Sequence, residues 1–147
     1  MRRDGSSREK AIRRHDLRPA IVAGRYYLPM PVSLTVRTER WPVAGSFTIA
    51  RGSRTEVDVV VAELSDGTHT GRGECVPYRR YGETIEKVIA AMEAQRGALA
   101  DGLDRTALQT AMAAGAARNA IDCAFWDLEA KRSGRPVHAL AGLPTPW

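Results

Sequence analysis

The stretch that decides the fold is Glu56-Val57-Asp58-Val59-Val60-Val61-Ala62-Glu63-Leu64, followed by Ser65-Asp66-Gly67 and Thr68 to Glu74. It begins by alternating polar and apolar residues and ends apolar on both faces. That pattern predicts a strand, and a central one, because only a strand flanked on both sides hides both faces. Asp66-Gly67 is a hairpin signal, since glycine supplies the positive φ that a reversal needs. Thr68 to Glu74 then returns as the partner strand. Two strands joined this closely can only run antiparallel.

Working outward toward the N-terminus, Val32, Leu34 and Val36 alternate with Ser33, Thr35 and Arg37, which predicts a half-buried strand. Trp41-Pro42-Val43-Ala44-Gly45 reads as a turn, because Pro42 lacks a ladder donor and Gly45 relaxes the backbone. Phe47-Thr48-Ile49 reads as a short strand, broken by Arg51-Gly52-Ser53. Toward the C-terminus the period changes to 3.6. Ile85, Val88, Ile89 and Met92 form one stripe of a helix that starts at Glu83 or Thr84 and ends near Gly97 to Gly102. Asp104 caps a short helix from Arg105 to Met112. A third helix carries the stripe Ala117, Ile121, Ala124 and Leu128, widened by Ala120 and Phe125, with Arg118 and Asp122 facing each other four residues apart. Lys131 and Arg132 suit its C-terminal dipole, Gly134 stops it and Pro136 forbids continuation. Strands first and helices after give an α+β fold: a three-stranded antiparallel meander with a helical bundle on one side.

The net charge of +5 hints at nucleic acid, but its position removes the hint. Residues 1–30 hold eight Lys/Arg against three Asp/Glu, a surplus equal to that of the whole chain, so residues 31–147 are neutral. A neutral body has no reason to seek phosphates. Residues 1–30 lack sustained periodicity and are expected to stay disordered. They have no apolar core of a secretory signal, and Asp4, Glu9 and Asp16 argue against a mitochondrial presequence. Order begins right after Met30, which reads as the natural start. Cys75 and Cys123 have no CxxC partner and are expected to be buried and inert in a cytoplasmic protein. No run of 18 apolar residues could span a membrane.

Most candidate motifs fail on their own chemistry. Gly71-Arg72-Gly73 begins like a dinucleotide fingerprint, but Val76 stands at the third glycine position and no helix opens there. His15, His69 and His138 are scattered without ligand spacing. Asp122 and Asp127 are five apart, on different faces of a helix, and suit salt bridges or caps. Two loops remain: Ala50-Arg51-Gly52-Ser53-Arg54 and Cys75-Val76-Pro77-Tyr78-Arg79-Arg80-Tyr81-Gly82. The second sets two tyrosines and two arginines between a strand end and a helix start. These residues supply contact area and planar donors, the chemistry of recognition, although a solvated loop whose tyrosines only pack on the helix has the same composition.

Gly73-Glu74-Cys75-Val76-Pro77-Tyr78, then Arg80-Tyr81-Gly82-Glu83, then a helix, resembles the N-terminal capping domain of enolase-superfamily enzymes, muconate-lactonizing subgroup. Ala120 to Leu128, with Gly134-Arg135-Pro136-Val137 and Leu140-Ala141-Gly142, is similar to the last capping helix of that subgroup and its lead-in to the barrel. The loop from Pro77 to Glu83 resembles dipeptide epimerases and racemases of N-acylated glutamate more than lactonizing enzymes. The resemblance implies Mg²⁺-assisted removal of the proton beside a carboxylate, exchanged by two barrel lysines. It places those lysines and the metal ligands in the (β/α)₈ barrel and none in this chain, so Lys87 and Lys131 are not the bases. It implies that the capping loops close over the site and contact the distal part of a small acidic dipeptide or N-acyl amino acid. On that basis the substrate-binding residues are Arg51, Tyr78, Arg79 and Tyr81, with Arg51 pairing with a distal carboxylate.

The expected organisation is a disordered basic extension at 1–30, a capping domain at 31–143, and 144–147 as a truncated linker to an absent barrel. A chain of this kind is expected to bind no metal and to be inactive alone. Its barrel-facing surface invites self-association. The runner-up is a stand-alone α+β interaction module.

Overall fold

A computed structural model describes residues 20–22, 25–27, 31–49 and 52–146. Among the described residues there are two sheets. Strands β1 (Ala20–Val22) and β2 (Arg25–Tyr27) pair antiparallel, with Ala20 opposite Tyr27 and Val22 opposite Arg25. Order was not expected in this stretch. Its β-branched Ile21 and Val22 and aromatic Tyr26 and Tyr27 favour strands, and Ala23-Gly24 is a connection short enough for a hairpin. Residues 1–19 lie outside the described residues.

The main sheet has the order β3-β4-β5, formed by β3 (Ser33–Ile49), β4 (Gly52–Ser65) and β5 (Thr70–Cys75), all antiparallel. β4 is central, and Val59, Val60, Val61 and Ala62 are all buried, as their two-faced apolar run requires. The turn expected at Trp41 to Gly45 is not one. β3 runs through it as a single strand, with a register shift between Pro42, which faces Glu56, and Phe47, which faces Arg54. The residues on both sides pair with the same strand, so the extra residues bulge out rather than reverse the chain. β3 is an edge strand, where proline's missing donor does little harm, and Gly45 takes φ 80° in the bulge. Trp41 lies along the sheet, donating to Glu39 at 2.8 Å with the Arg72 guanidinium 5.8 Å from its ring centroid. The Asp66-Gly67 connection is a four-residue loop. Gly67 has φ 90°, and the Asp66 carboxylate accepts from the amides of Thr68 (2.9 Å) and His69 (2.7 Å).

Five helices follow: α1 (Ile85–Glu93), α2 (Arg96–Ala100), α3 (Arg105–Ala111), α4 (Ala116–Ser133) and α5 (Val137–Leu140). The first predicted helix is therefore two, divided at Ala94-Gln95. Thr84 caps α1, accepting from the Lys87 amide at 3.3 Å, and Asp104 caps α3 through the Ala107 amide at 2.7 Å. α4 ends at Gly134 in the left-handed region, φ 64°. Its stripe of Ala117, Ala120, Ile121, Ala124, Phe125 and Leu128 is buried in one core cluster with Leu34, Val60, Ala62 and Leu64 of the sheet and Val88 and Met92 of α1. Arg118 does not pair with Asp122. It donates instead to the carbonyls of Gln109 (3.0 Å) and Met112 (3.3 Å), which are exposed at the end of α3, while Asp122 accepts from Gln109 at 2.7 Å.

Gly71-Arg72-Gly73 has a packing role. A Cβ on Gly71 would sit 2.1 Å from the Ala124 carbonyl oxygen, and one on Gly73 would sit 2.0 Å from that of Ala120. Glycine there lets α4 lie directly on β5. The same helix covers the free edge of the strand: Asp127 accepts from the Arg72 amide at 2.7 Å, and Lys131 donates to the Thr70 carbonyl at 2.8 Å. Arg132 reaches Asp66 at 3.2 Å and ties the hairpin loop to the end of α4. Cys75 is buried, but Cys123 is exposed, because it lies beside the buried stripe and not on it. Among the described residues no helix is long and apolar enough to cross a membrane.

Candidate functional site

The N-terminal end of β4 and the segment from Val76 to Lys87 wall one cleft of about 1260 Å³. The antiparallel register brings them together. Val60 pairs with Cys75, so the residues preceding Val60 on β4 run past the end of β5 and face the loop that leaves it. The loop climbs through Val76-Pro77-Tyr78 and makes a 3₁₀ turn at Arg79–Tyr81. It then turns down at Gly82, φ 73°, into Thr84 and α1. Both loops singled out from the sequence thus reach one cleft.

Tyr78 and Arg79 line it. Tyr81 does not. It stands outside, 76% exposed, with its ring 5.7 Å from that of Tyr78. Arg51 lies outside the described residues, although its neighbour Gly52 is on the cleft wall. Arg54, Arg80 and Glu83 also line the cleft and were not among the sequence candidates. Arg54 and Arg80 were readable as charged members of the two loops. Glu83 was not, since its main partner is 33 residues away.

The charges of the cleft are unequally committed. Asp58 is held by Arg40 at 2.6 and 3.1 Å, which keeps its carboxyl below the usual range. Glu83 accepts from the amides of Ala116 (2.7 Å) and Tyr78 (2.9 Å), and these two hydrogen bonds lower its pKa in that order. Glu86 is also held low, chiefly by its own amide and the Thr84 hydroxyl. Lys87 donates to the Gly82 carbonyl at 3.0 Å. Among the described residues Arg54, Arg79 and Arg80 form no ion pair. Arg79 acts on the Glu86 carboxyl through space, and guanidiniums outside salt bridges beside exposed tyrosines favour a ligand carrying a carboxylate.

Among the described residues no three His, Cys, Asp or Glu side chains converge to hold a metal. Both candidate lysines are engaged structurally, Lys87 with Gly82 and Lys131 with Thr70 and Asp127.

The profile of the mandelate racemase / muconate lactonizing enzyme N-terminal domain matches residues 31–142. The chain belongs to this family. The resemblance and the fold expected from it, a three-stranded antiparallel sheet followed by helices, are thereby established. Within the family the chain is similar to an L-Ala-D/L-Glu epimerase of Escherichia coli (strain K12), 46% identical over 114 residues that make up 78% of this chain and 36% of the relative. An enolase family member from Agrobacterium tumefaciens with homology to dipeptide epimerases, solved with sodium and L-Ala-L-Glu bound, is 56% identical with a TM-score of 0.72, covering 78% of this chain and 35% of that one. A dipeptide epimerase from Methylococcus capsulatus, complexed with Mg and L-Arg-D-Lys, is 32% identical with a TM-score of 0.64, covering 77% and 35%. The chain spans about a third of the length of these relatives.

Proposed function

We propose that residues 31–143 are the capping, substrate-recognition part of an epimerase or racemase acting on a small acidic dipeptide or an N-acyl amino acid. The observation that carries this reading is the cleft's combination of hydrogen-bonded carboxylates with arginines that, among the described residues, form no salt bridge. Arg51, the sequence neighbour of the cleft residue Gly52, is assigned to receive the distal carboxylate. Tyr78 and Arg79 shape the opposite side, and Tyr81 supports the Tyr78 ring from outside. Closure of these loops excludes water from the reacting carbon. We assign the proton transfer beside the substrate carboxylate to groups outside the match, which takes up about a third of the relatives' length. The two similar proteins that carry Glu in their described dipeptides support the acidic class.

A graft tests this. Residues 31–142 replace the matching segment of the E. coli epimerase, and deuterium incorporation from D₂O into L-Ala-L-Glu is followed with Mg²⁺ present. The graft is expected to be active, and the chain alone, as control, to incorporate none. Arg51→Ala in the graft is expected to lower kcat/KM for L-Ala-L-Glu by roughly 10- to 100-fold, the scale of a charge-assisted pair, and to leave a neutral dipeptide nearly unchanged. Equal losses for both classes would overturn the assignment of Arg51, and activity of the chain alone would overturn the division of labour.

A further inference from the structure

We propose that Glu83 is the positioning residue of the 76–82 loop: its carboxylate ties the loop's Tyr78 amide to the first turn of α4. The posture of Tyr78 and Arg79 at the cleft is then set by the helix. The geometry uses both carboxylate oxygens. Oε2 accepts from the Tyr78 amide at 2.9 Å, and Oε1 accepts from the Ala116 amide at 2.7 Å. The turn itself is closed by two internal hydrogen bonds, Tyr81 amide to Tyr78 carbonyl and Gly82 amide to Arg79 carbonyl, so it can swing as a unit about its ends. Gly82, at φ 73°, aims Glu83 back under the turn, and Gly115 leaves room on the far side, where a Cβ would lie 2.9 Å from Oε1. Capping of α1 is done by Thr84, which frees Glu83 for this task. The consequence for substrate rests on the recognition reading above; the tie itself does not.

The chemistry makes a sharp test. Two amide donors need two acceptor oxygens, and glutamine offers one, with its NH₂ facing the other N–H. In the full 147-residue chain, Glu83→Gln is expected to raise the exchange rate of the Tyr78 or Ala116 amide by roughly 10- to 100-fold and to weaken the Tyr78–Tyr81 ring NOEs. The Val60 and Ile121 amides, deep in the core, are expected to keep their protection. Unchanged exchange at both Tyr78 and Ala116 would overturn the proposal, and so would a uniform rise that includes Val60 and Ile121, which would make Glu83 a general stability residue. A second measurement needs no variant: through-hydrogen-bond couplings from the Tyr78 and Ala116 amide nitrogens to the Glu83 carboxyl carbon are expected in the wild-type chain, and absence of either overturns the tie. None of these readouts involves a ligand, so their failure is separate from failure of the graft.

Discussion

The joint between α4 and β5 and the rim of the cleft hold backbone in place by opposite means. At the joint, two glycines let a helix lie on a strand, and Ala120, Ala124 and Leu128 fill what space remains. Many small contacts share the work, and none can be enlarged. At the rim, the loop is exposed and polar, and a few side-chain hydrogen bonds hold it, the Glu83 carboxylate reaching α4 and Lys87 reaching the Gly82 carbonyl. Loops that meet ligands draw on the less stable end of a structure, so a few reversible ties suit the rim as dense packing suits the joint.

The comparison breaks first at the joint. Gly73→Ala drives a Cβ to 2.0 Å from a backbone oxygen that has no free direction to move. It is expected to cost about 3 kcal/mol, seen as a lower urea midpoint, with α4 shifted off the sheet. An effect below about 0.5 kcal/mol would mean the helix floats, and the joint would be no tighter than the rim.

A smaller effect is expected where Asp66 ties the β4–β5 loop to α4. Its carboxyl is held below the ordinary value, first by the His69 amide, then by the Thr68 amide, with Arg132 nearby. A lowered folded pKa means that its contribution is present above about pH 4 and is lost as pH falls through the folded value. The stability gap between wild type and Asp66→Asn, measured by urea melts at pH 6 and pH 3, is therefore expected to shrink on acidification. A constant gap would show that the carboxylate charge does nothing there.

The mildest probe leaves stability untouched. Iodoacetamide at pH 8 is expected to label the exposed Cys123 well before the buried Cys75, whose thiol burial pushes up to about 11. Mass spectrometry of the tryptic peptides gives the order. Equal rates would mean that the β5 end opens as readily as the surface.

The Glu56–Leu64 run declared a central strand because nothing else hides both faces, and the Ala117–Leu128 stripe declared a packed helix face because its period is 3.6. Trp41-Pro42 through Gly45 misled, since the same residues that turn a chain also bulge an edge strand; the partner across the ladder decides which. Cys123 was misplaced for a similar reason, as it neighbours the buried stripe in sequence but falls beside it around the helix.

What the sequence determined by itself was periodicity: which segments pair, which faces are apolar, and which loops carry Tyr and Arg. These depend on neighbours within a few residues, so they can be read locally. Only the tertiary structure decided that Gly71 and Gly73 are the seat of α4, that the two loops share one cleft, and that Glu83 reaches Ala116, 33 residues on. Each is a close approach between segments far apart in the chain, and no local pattern encodes a distance across space.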